Sequence, residues 1–290
     1  GPGNNPATPS LSVTLAGLTT RTRVREARQD RLIMNGARAV DAKIDGFLTA
    51  LRREHDVPQI EIDTENDFLT RSGLASSASG FAALITAIDR AFDLGLDDTT
   101  RSKWARMGSG SAARSIFGGF AMLHQVDGEW IGEALLDADA FPLEVVLALT
   151  TRAPKKVGST EGMERSRTTS PYFDNWVAST QTDFSAAKDA VLGHDFQKLA
   201  TIAEHSCLKM HALMMSTLPG LIYWNGGTLE AIHTLRALRD DGVEVFFTVD
   251  AGPQVKAICP AGHSARVRQA LDALDGVEET LVTALGPGAI

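Results

Sequence analysis

The sequence predicts an α+β fold in two lobes. Three observations predict it. β-rich and helical segments mix without a regular βαβ repeat, a loop of small residues opens an amphipathic helix, and the texture turns helical after about Thr168. The lobes are expected at residues 1–168 and 169–290.

Residues 10–15 alternate, with Leu11, Val13 and Leu15 on one face and Ser10, Ser12 and Thr14 on the other. Residues 20–24 continue the β-rich stretch, so a hairpin is expected there. Residues 37–54 read as one helix, with Val40, Ile44, Phe47, Leu48 and Leu51 apolar. A short strand over 59–63 precedes the small-residue loop. The next helix carries Phe81, Leu84, Ile88 and Phe92 three or four apart. Asp97-Asp98-Thr99-Thr100 caps a helix running to Met107. Strands are expected at 117–124 and 143–151, and helices at 171–192, 195–216 and 228–240. An apolar strand over 243–249 ends at Asp250. A strand at 256–259, a helix at 264–274 and a strand at 279–285 close the chain.

The chain has 290 residues, 43% hydrophobic and 22% charged, which suits one or two globular domains. Its net charge of −8 argues against non-specific nucleic-acid binding, so an anionic ligand needs a locally basic site. Cys207 and Cys259 form no metal-ligand or redox spacing, and their scarcity suits a reducing cytoplasm. No apolar run is long enough to cross a bilayer.

Ser72-Gly73-Leu74-Ala75-Ser76-Ser77-Ala78-Ser79-Gly80 ends at a helix N-terminus. Unpaired N–H groups and the positive end of the helix dipole attract anions there, and small side chains admit a phosphate. A flexible Gly/Ser linker would not need to run into an amphipathic helix. No Gly-Lys-Ser/Thr follows, so the loop is not a Walker A motif. A second loop, Gly108-Ser109-Gly110-Ser111-Ala112-Ala113-Arg114-Ser115, adds a guanidinium suited to phosphate or carboxylate. Taken alone, it reads equally as a helix-to-strand turn with a surface arginine. The run Lys155-Lys156-Val157-Gly158-Ser159-Thr160 reads first as a solvated turn and second as a phosphate site. Asp250 ends an apolar strand before Ala251-Gly252-Pro253, as an Asx turn or as a carboxylate facing a cleft. His211, near Met210, Met214 and Met215, reads as a packed core histidine. Three anion-friendly loops and one strand-end carboxylate together favour phosphoryl transfer, where catalysis is mostly positioning and charge stabilisation.

These segments resemble the signatures of the diphosphomevalonate decarboxylase family, within the galactokinase, homoserine kinase, mevalonate kinase and phosphomevalonate kinase (GHMP kinase) superfamily. The resemblance rests on the two loops above and on Thr248-Val249-Asp250-Ala251-Gly252-Pro253. Pro9-Ser10-Leu11-Ser12-Val13-Thr14-Leu15, Gly158 to Met163, Met210-His211-Ala212 and Ile222-Tyr223-Trp224-Asn225 support it. It implies a two-lobed GHMP-kinase-like fold, with a ribosomal-protein-S5-like N-terminal lobe and a ferredoxin-like C-terminal lobe. It implies that ATP, with Mg²⁺, phosphorylates the 3-hydroxyl of 5-diphosphomevalonate. Loss of phosphate and carbon dioxide then gives isopentenyl diphosphate. A cytoplasmic homodimer acting on this small phosphorylated substrate, with no nucleic-acid or membrane partner, is implied as well.

By the same resemblance, Asp250 matches the catalytic aspartate and Arg114 the arginine that holds the substrate's carboxylate. Gly73, Leu74, Ala75, Ser76, Ser77 and Ser79 match the ATP-phosphate loop. Ser109, Gly110, Ser111, Ala112 and Ala113 match the substrate loop, Ser159 and Thr160 a loop near the diphosphate, and Lys43 a position often held by arginine. The family's Lys-Tyr-Trp-Gly-Lys segment does not occur here, and the expectation is that it precedes Gly1. Alternatives within the fold are a mevalonate 3-kinase or a monophosphomevalonate decarboxylase. An alternative of another class is a non-catalytic nucleotide-binding protein.

Overall fold

A computed structural model describes residues 4–67 and 76–290, with the Ser76 side chain left out. Among these, residues 4–67, 76–137 and 286–290 form one compact unit and 138–285 another. The division falls at Asp137/Ala138 rather than at Thr168.

In the first unit, β2 (Thr20–Glu26), β5 (Ile60–Asn66), β3 (Arg31–Met34) and β4 (Ala37–Ala39) form a sheet in that spatial order. β2 lies antiparallel to β5, which places Arg21 opposite Glu65, Arg23 opposite Asp63 and Arg25 opposite Glu61. That face is charged because it meets water. The other face carries Leu32, Ile60 and Ile62 into a core with Phe47, Leu48 and Leu51 of α1 (Ala42–Leu51). α2 (Ser76–Ala91) adds Phe81, Leu84, Ile85 and Ile88, and α3 (Asp98–Gly108) adds Trp104. The α2 periodicity read from the sequence is therefore its buried stripe.

Two expectations are corrected here. Residues 10–24 are not a hairpin: β1 (Ser10–Val13) pairs with β6 (Phe120–Val126), and β7 (Glu129–Leu136) completes that second sheet. Residues 37–54 are not one helix either. Asn35 and Gly36 both take positive φ, 50° and 76°, which turns β3 into β4 before Asp41 caps α1. The tail returns to this unit, where Gly286 N–H donates to Thr14 O at 2.8 Å and Ala289 N–H to Ile116 O at 3.2 Å.

In the second unit, β11 (Glu279–Ala284), β8 (Leu143–Leu149), β10 (Val255–Pro260) and β9 (Phe246–Val249) form an antiparallel sheet in that order. β8 is central and almost wholly buried. Around the sheet run α4 (Ser159–Thr169), α5 (Phe173–Leu192), α6 (Phe196–Met215), α7 (Gly226–Asp240) and α8 (Ser264–Asp272). β9 is an edge strand, and α6 packs against it. Unpaired edge groups must find other partners. They find them on one face of α6. Phe247 N–H donates to Glu204 Oε1 at 3.3 Å, and Val249 N–H donates to Cys207 Sγ at 3.2 Å. His211 Nε2 lies 3.0 Å from Val249 O.

Candidate functional site

Gly73, Leu74 and Ala75 lie outside the described residues, as does the Ser76 side chain. From Ser77 onward the first loop's geometry is defined. Ser77 is exposed on the first turn of α2, its Oγ 3.1 Å from Ser109 Oγ. Ser109 Oγ lies 3.3 Å from Ser111 Oγ. Three hydroxyls thus link the start of α2 to the second loop. Ser79 turns the other way: its Oγ lies 2.7 Å from Thr20 Oγ1, tying α2 to β2. In this structure Ser79 joins helix to sheet, whereas Ser77 faces the hydroxyl chain.

The second loop leaves α3 at Ser109 and enters a short 3-10 helix, Ala112–Ile116. Ala112 and Ala113 are buried, and Gly110 packs near Asn4. Arg114 points to β1, where its Nε donates to Ser12 Oγ at 2.9 Å and its Nη1 to Ser10 Oγ at 2.5 Å. Thr14 Oγ1 donates to Phe117 O at 2.7 Å. The polar face of β1 seen in the sequence is therefore a bed for the Arg114 segment. It orients the guanidinium through two hydroxyls.

Lys43 is exposed on the first turn of α1 and lines a cleft of about 240 Å³. Phe47, Ala50, Met107 and Gly108 also line it, so its floor is largely apolar. Gly108 directly precedes Ser109, which sets this cleft beside the serine chain.

In the second unit, Ser159 and Thr160 begin α4, so the expected turn is a helix N-terminus. No side chain caps that end. Lys155 Nζ donates to Ser159 Oγ and to Ala251 O, both at 2.9 Å. Burial pushes the Lys155 ammonium down from its ordinary value; the Asp250 charge opposes that and Lys256 adds to it.

Asp250 follows β9, with 61% of its side chain exposed, and its Oδ2 accepts from Lys256 Nζ at 2.7 Å. Its backbone is held on both sides. Val249 is gripped by Cys207 and His211, and Gly252 N–H donates back to Asp250 O at 2.6 Å. Pro253 O accepts from Thr228 Oγ1 at 2.7 Å. Gln254 Oε1 accepts from Thr150 N–H, and its Nε2 donates to Thr151 O, both at 2.7 Å. The result is an exposed carboxylate on a fixed backbone, which a reacting group requires.

His211 is 1% exposed, in keeping with a core histidine, and burial pushes its imidazole below the ordinary 6.5. Trp224 Nε1 also lies 3.2 Å from Nε2, so the tautomer decides which contact is the bond. Sequence reasoning missed Lys256 and Cys207. A lysine at the second position of an apolar strand, six residues after Asp250, was the available signal. Among the described residues no group of three or more His, Cys, Asp or Glu could hold a metal. Among the described residues no helix is long and apolar enough to cross a membrane.

Two family descriptions match the chain: the diphosphomevalonate decarboxylase-like N-terminal domain over residues 3–131 and the mevalonate 5-diphosphate decarboxylase C-terminal domain over 145–284. A diphosphomevalonate decarboxylase of Eremothecium gossypii is 31% identical, over 97% of this chain and 79% of its own. A phosphomevalonate decarboxylase of Haloferax volcanii is 29% identical, over 97% and 88%. A solved complex of MDDEF with MVAPP, AMPPCP and magnesium superposes with a TM-score of 0.89 at 33% identity. It covers 98% of this chain and 90% of that one.

Proposed function

This chain belongs to the diphosphomevalonate decarboxylase family, and from that membership we infer that it decarboxylates 5-diphosphomevalonate with ATP. The 3-hydroxyl takes the γ-phosphoryl group, ADP leaves, and the new phosphate and carbon dioxide then depart to give isopentenyl diphosphate. The observation that carries this reading is Asp250, an exposed carboxylate on a backbone held from Val249 to Gln254.

Each residue acquires a role from its setting. Asp250 orients the 3-hydroxyl. Arg114, steadied by Ser10 and Ser12, holds the substrate carboxylate with a planar fork. Ser109, Gly110, Ser111, Ala112 and Ala113 shape the substrate's bed beside it, and Ser159 and Thr160 offer a helix N-terminus to its diphosphate. Gly73, Leu74, Ala75, Ser76 and Ser77 supply the ATP-phosphate segment, while Ser79, bonded to Thr20, anchors its helix to the sheet. The apolar cleft beside Gly108 suits the nucleobase, with Lys43 at its rim. Magnesium needs few protein ligands, because ATP phosphates and water supply most of its shell. It supplies charge neutralisation at the phosphates.

The test is carbon dioxide and ADP release from ATP, Mg²⁺ and 5-diphosphomevalonate. Asp250→Asn is expected to lower kcat by ~10³-fold or more with little change in ATP affinity. Arg114→Gln is expected to weaken substrate use more than nucleotide binding. Accumulation of a 3-phosphate without gas refutes decarboxylation and leaves a 3-kinase. The Haloferax relative favours a second reading, in which 5-phosphomevalonate is the substrate, and the same assay with that compound separates the two. The proposal extends to a cytoplasmic homodimer. Two buried free thiols suit a reducing compartment, and sedimentation tests the dimer.

A further inference from the structure

Lys256 sits on β10 directly opposite Thr248 of β9, and Val255 sits opposite Val249. Its place relative to Asp250 is therefore set by sheet register rather than by a loop. Only 11% of its side chain is exposed, although it ends in an ammonium. Burying that charge is costly without a partner, and its Nζ lies 2.7 Å from Asp250 Oδ2. We propose that Lys256 is a positioning residue for the decarboxylation, fixing the plane of the Asp250 carboxylate and keeping it ionised. This rests on the reading above, in which Asp250 meets the reacting hydroxyl.

The groups around Asp250 support a division of labour. Lys155, from the segment after β8, spends two donors on Ala251 O and Ser159 Oγ and braces the backbone. From α6, burial disfavours the charged form of the His211 imidazole, and Cys207 is a thiol whose pKa burial raises to about 11. Among the described residues, the Lys256 ammonium touches the carboxylate directly, its Nζ 2.7 Å from Oδ2. An adjacent cation favours the charged form of an acid and makes it a weaker base. Asp250 thereby serves as a standing anion that orients the hydroxyl.

The experiment compares K256M and K256R with the wild type in the full-length chain. K256M is expected to lower kcat ~10- to 100-fold, the range for a misplaced catalytic group. The KM values for ATP and 5-diphosphomevalonate stay within about threefold. K256R restores most of kcat. Independently of turnover, the carbon-13 NMR titration of the Asp250 carboxyl moves to higher pH in K256M. A K256M enzyme with wild-type kcat, or with an unmoved Asp250 titration, overturns the inference. If K256M does not fold, K256Q carries the same expectations and the same refutation. Wild-type protein that releases no carbon dioxide overturns the functional reading instead, and the titration still decides the role of Lys256.

Discussion

Gly108 ends α3, lines the apolar cleft and precedes Ser109, so its packing bears on stability and on the site at once. A Cβ built there would stand 2.0 Å from Phe81 Cδ1 and 2.3 Å from Cε1 and Cγ. Carbon atoms need ~3.5 Å, so the ring would have to move by roughly 1.5 Å. It has little room. Phe81 is 6% exposed and meets Phe47 edge-on at 5.6 Å between centroids. Overpacking of this kind costs ~1–3 kcal/mol, and a pinned aromatic ring puts Gly108→Ala near ~3 kcal/mol. At ~2–4 °C per kcal/mol, calorimetry should show Tm lowered by roughly 6–12 °C. ATP KM should rise as the ring shifts beside the cleft. Gly80→Ala is the control. It sits inside α2 with nothing within 4 Å of its Cβ position, so the same change there stabilises by ~0.5–1 kcal/mol. If Gly108→Ala is as stable as the wild type, or if both variants lose the same stability, the packing argument is refuted.

Three further outcomes are expected. Gly46→Leu, which fills the cleft from α1, should raise ATP KM while leaving the KM for the mevalonate substrate unchanged; equal changes in both would remove the cleft from the nucleotide site. Glu204→Gln should cost ~2 kcal/mol in urea denaturation. That is less than the ~3–5 kcal/mol of a fully buried pair, because Arg239 keeps 33% of its side chain in water. His211, whose folded pKa burial holds below 6.5, stays neutral in the fold while the unfolded chain takes up a proton. The stability it contributes is thus present above 6.5 and lost as pH falls through the folded value. His211→Gln should flatten the decline in urea midpoint between pH 7.5 and 5.5.

Much of the fold was legible wherever one face of one element carried the signal. The apolar run of β8, the stripe of α2 and the Asp97 cap of α3 all depend on residues within a few positions of one another. The failures have two causes. The Asn35-Gly36 and Asp127-Gly128 pairs, all at positive φ, are strong local signals for hairpins. Passing over the first merged β4 into α1, and passing over the second hid β7. The supposed β1–β2 hairpin fails for another reason, since β1 pairs with β6 over a hundred residues away. No local pattern encodes that partner. The site divides in the same way. Asp250 was legible as a carboxylate closing an apolar strand. Its supports were not, because Glu204, Cys207 and His211 matter only once β9 is known to be an edge strand beside α6.

That edge explains why the second unit offers a carboxylate of this kind. An edge strand leaves N–H and C=O groups that must be paired, and pairing them with side chains of one helix fixes the strand's last peptide from a second direction. The backbone then cannot drift, although it ends in an exposed turn. A carboxylate fixed by its own burial would have to be desolvated in the resting protein and paired there for good. Here the side chain keeps 61% of its surface in water above a backbone held from both sides. Arg114 follows the opposite logic: its head group, not its backbone, is held by side chains, Ser10 and Ser12. A guanidinium with the role proposed for Arg114, holding a planar carboxylate, gains from a fixed fork. A carboxylate with the role proposed for Asp250, meeting a new hydroxyl in each turnover, gains from a fixed root and an open tip.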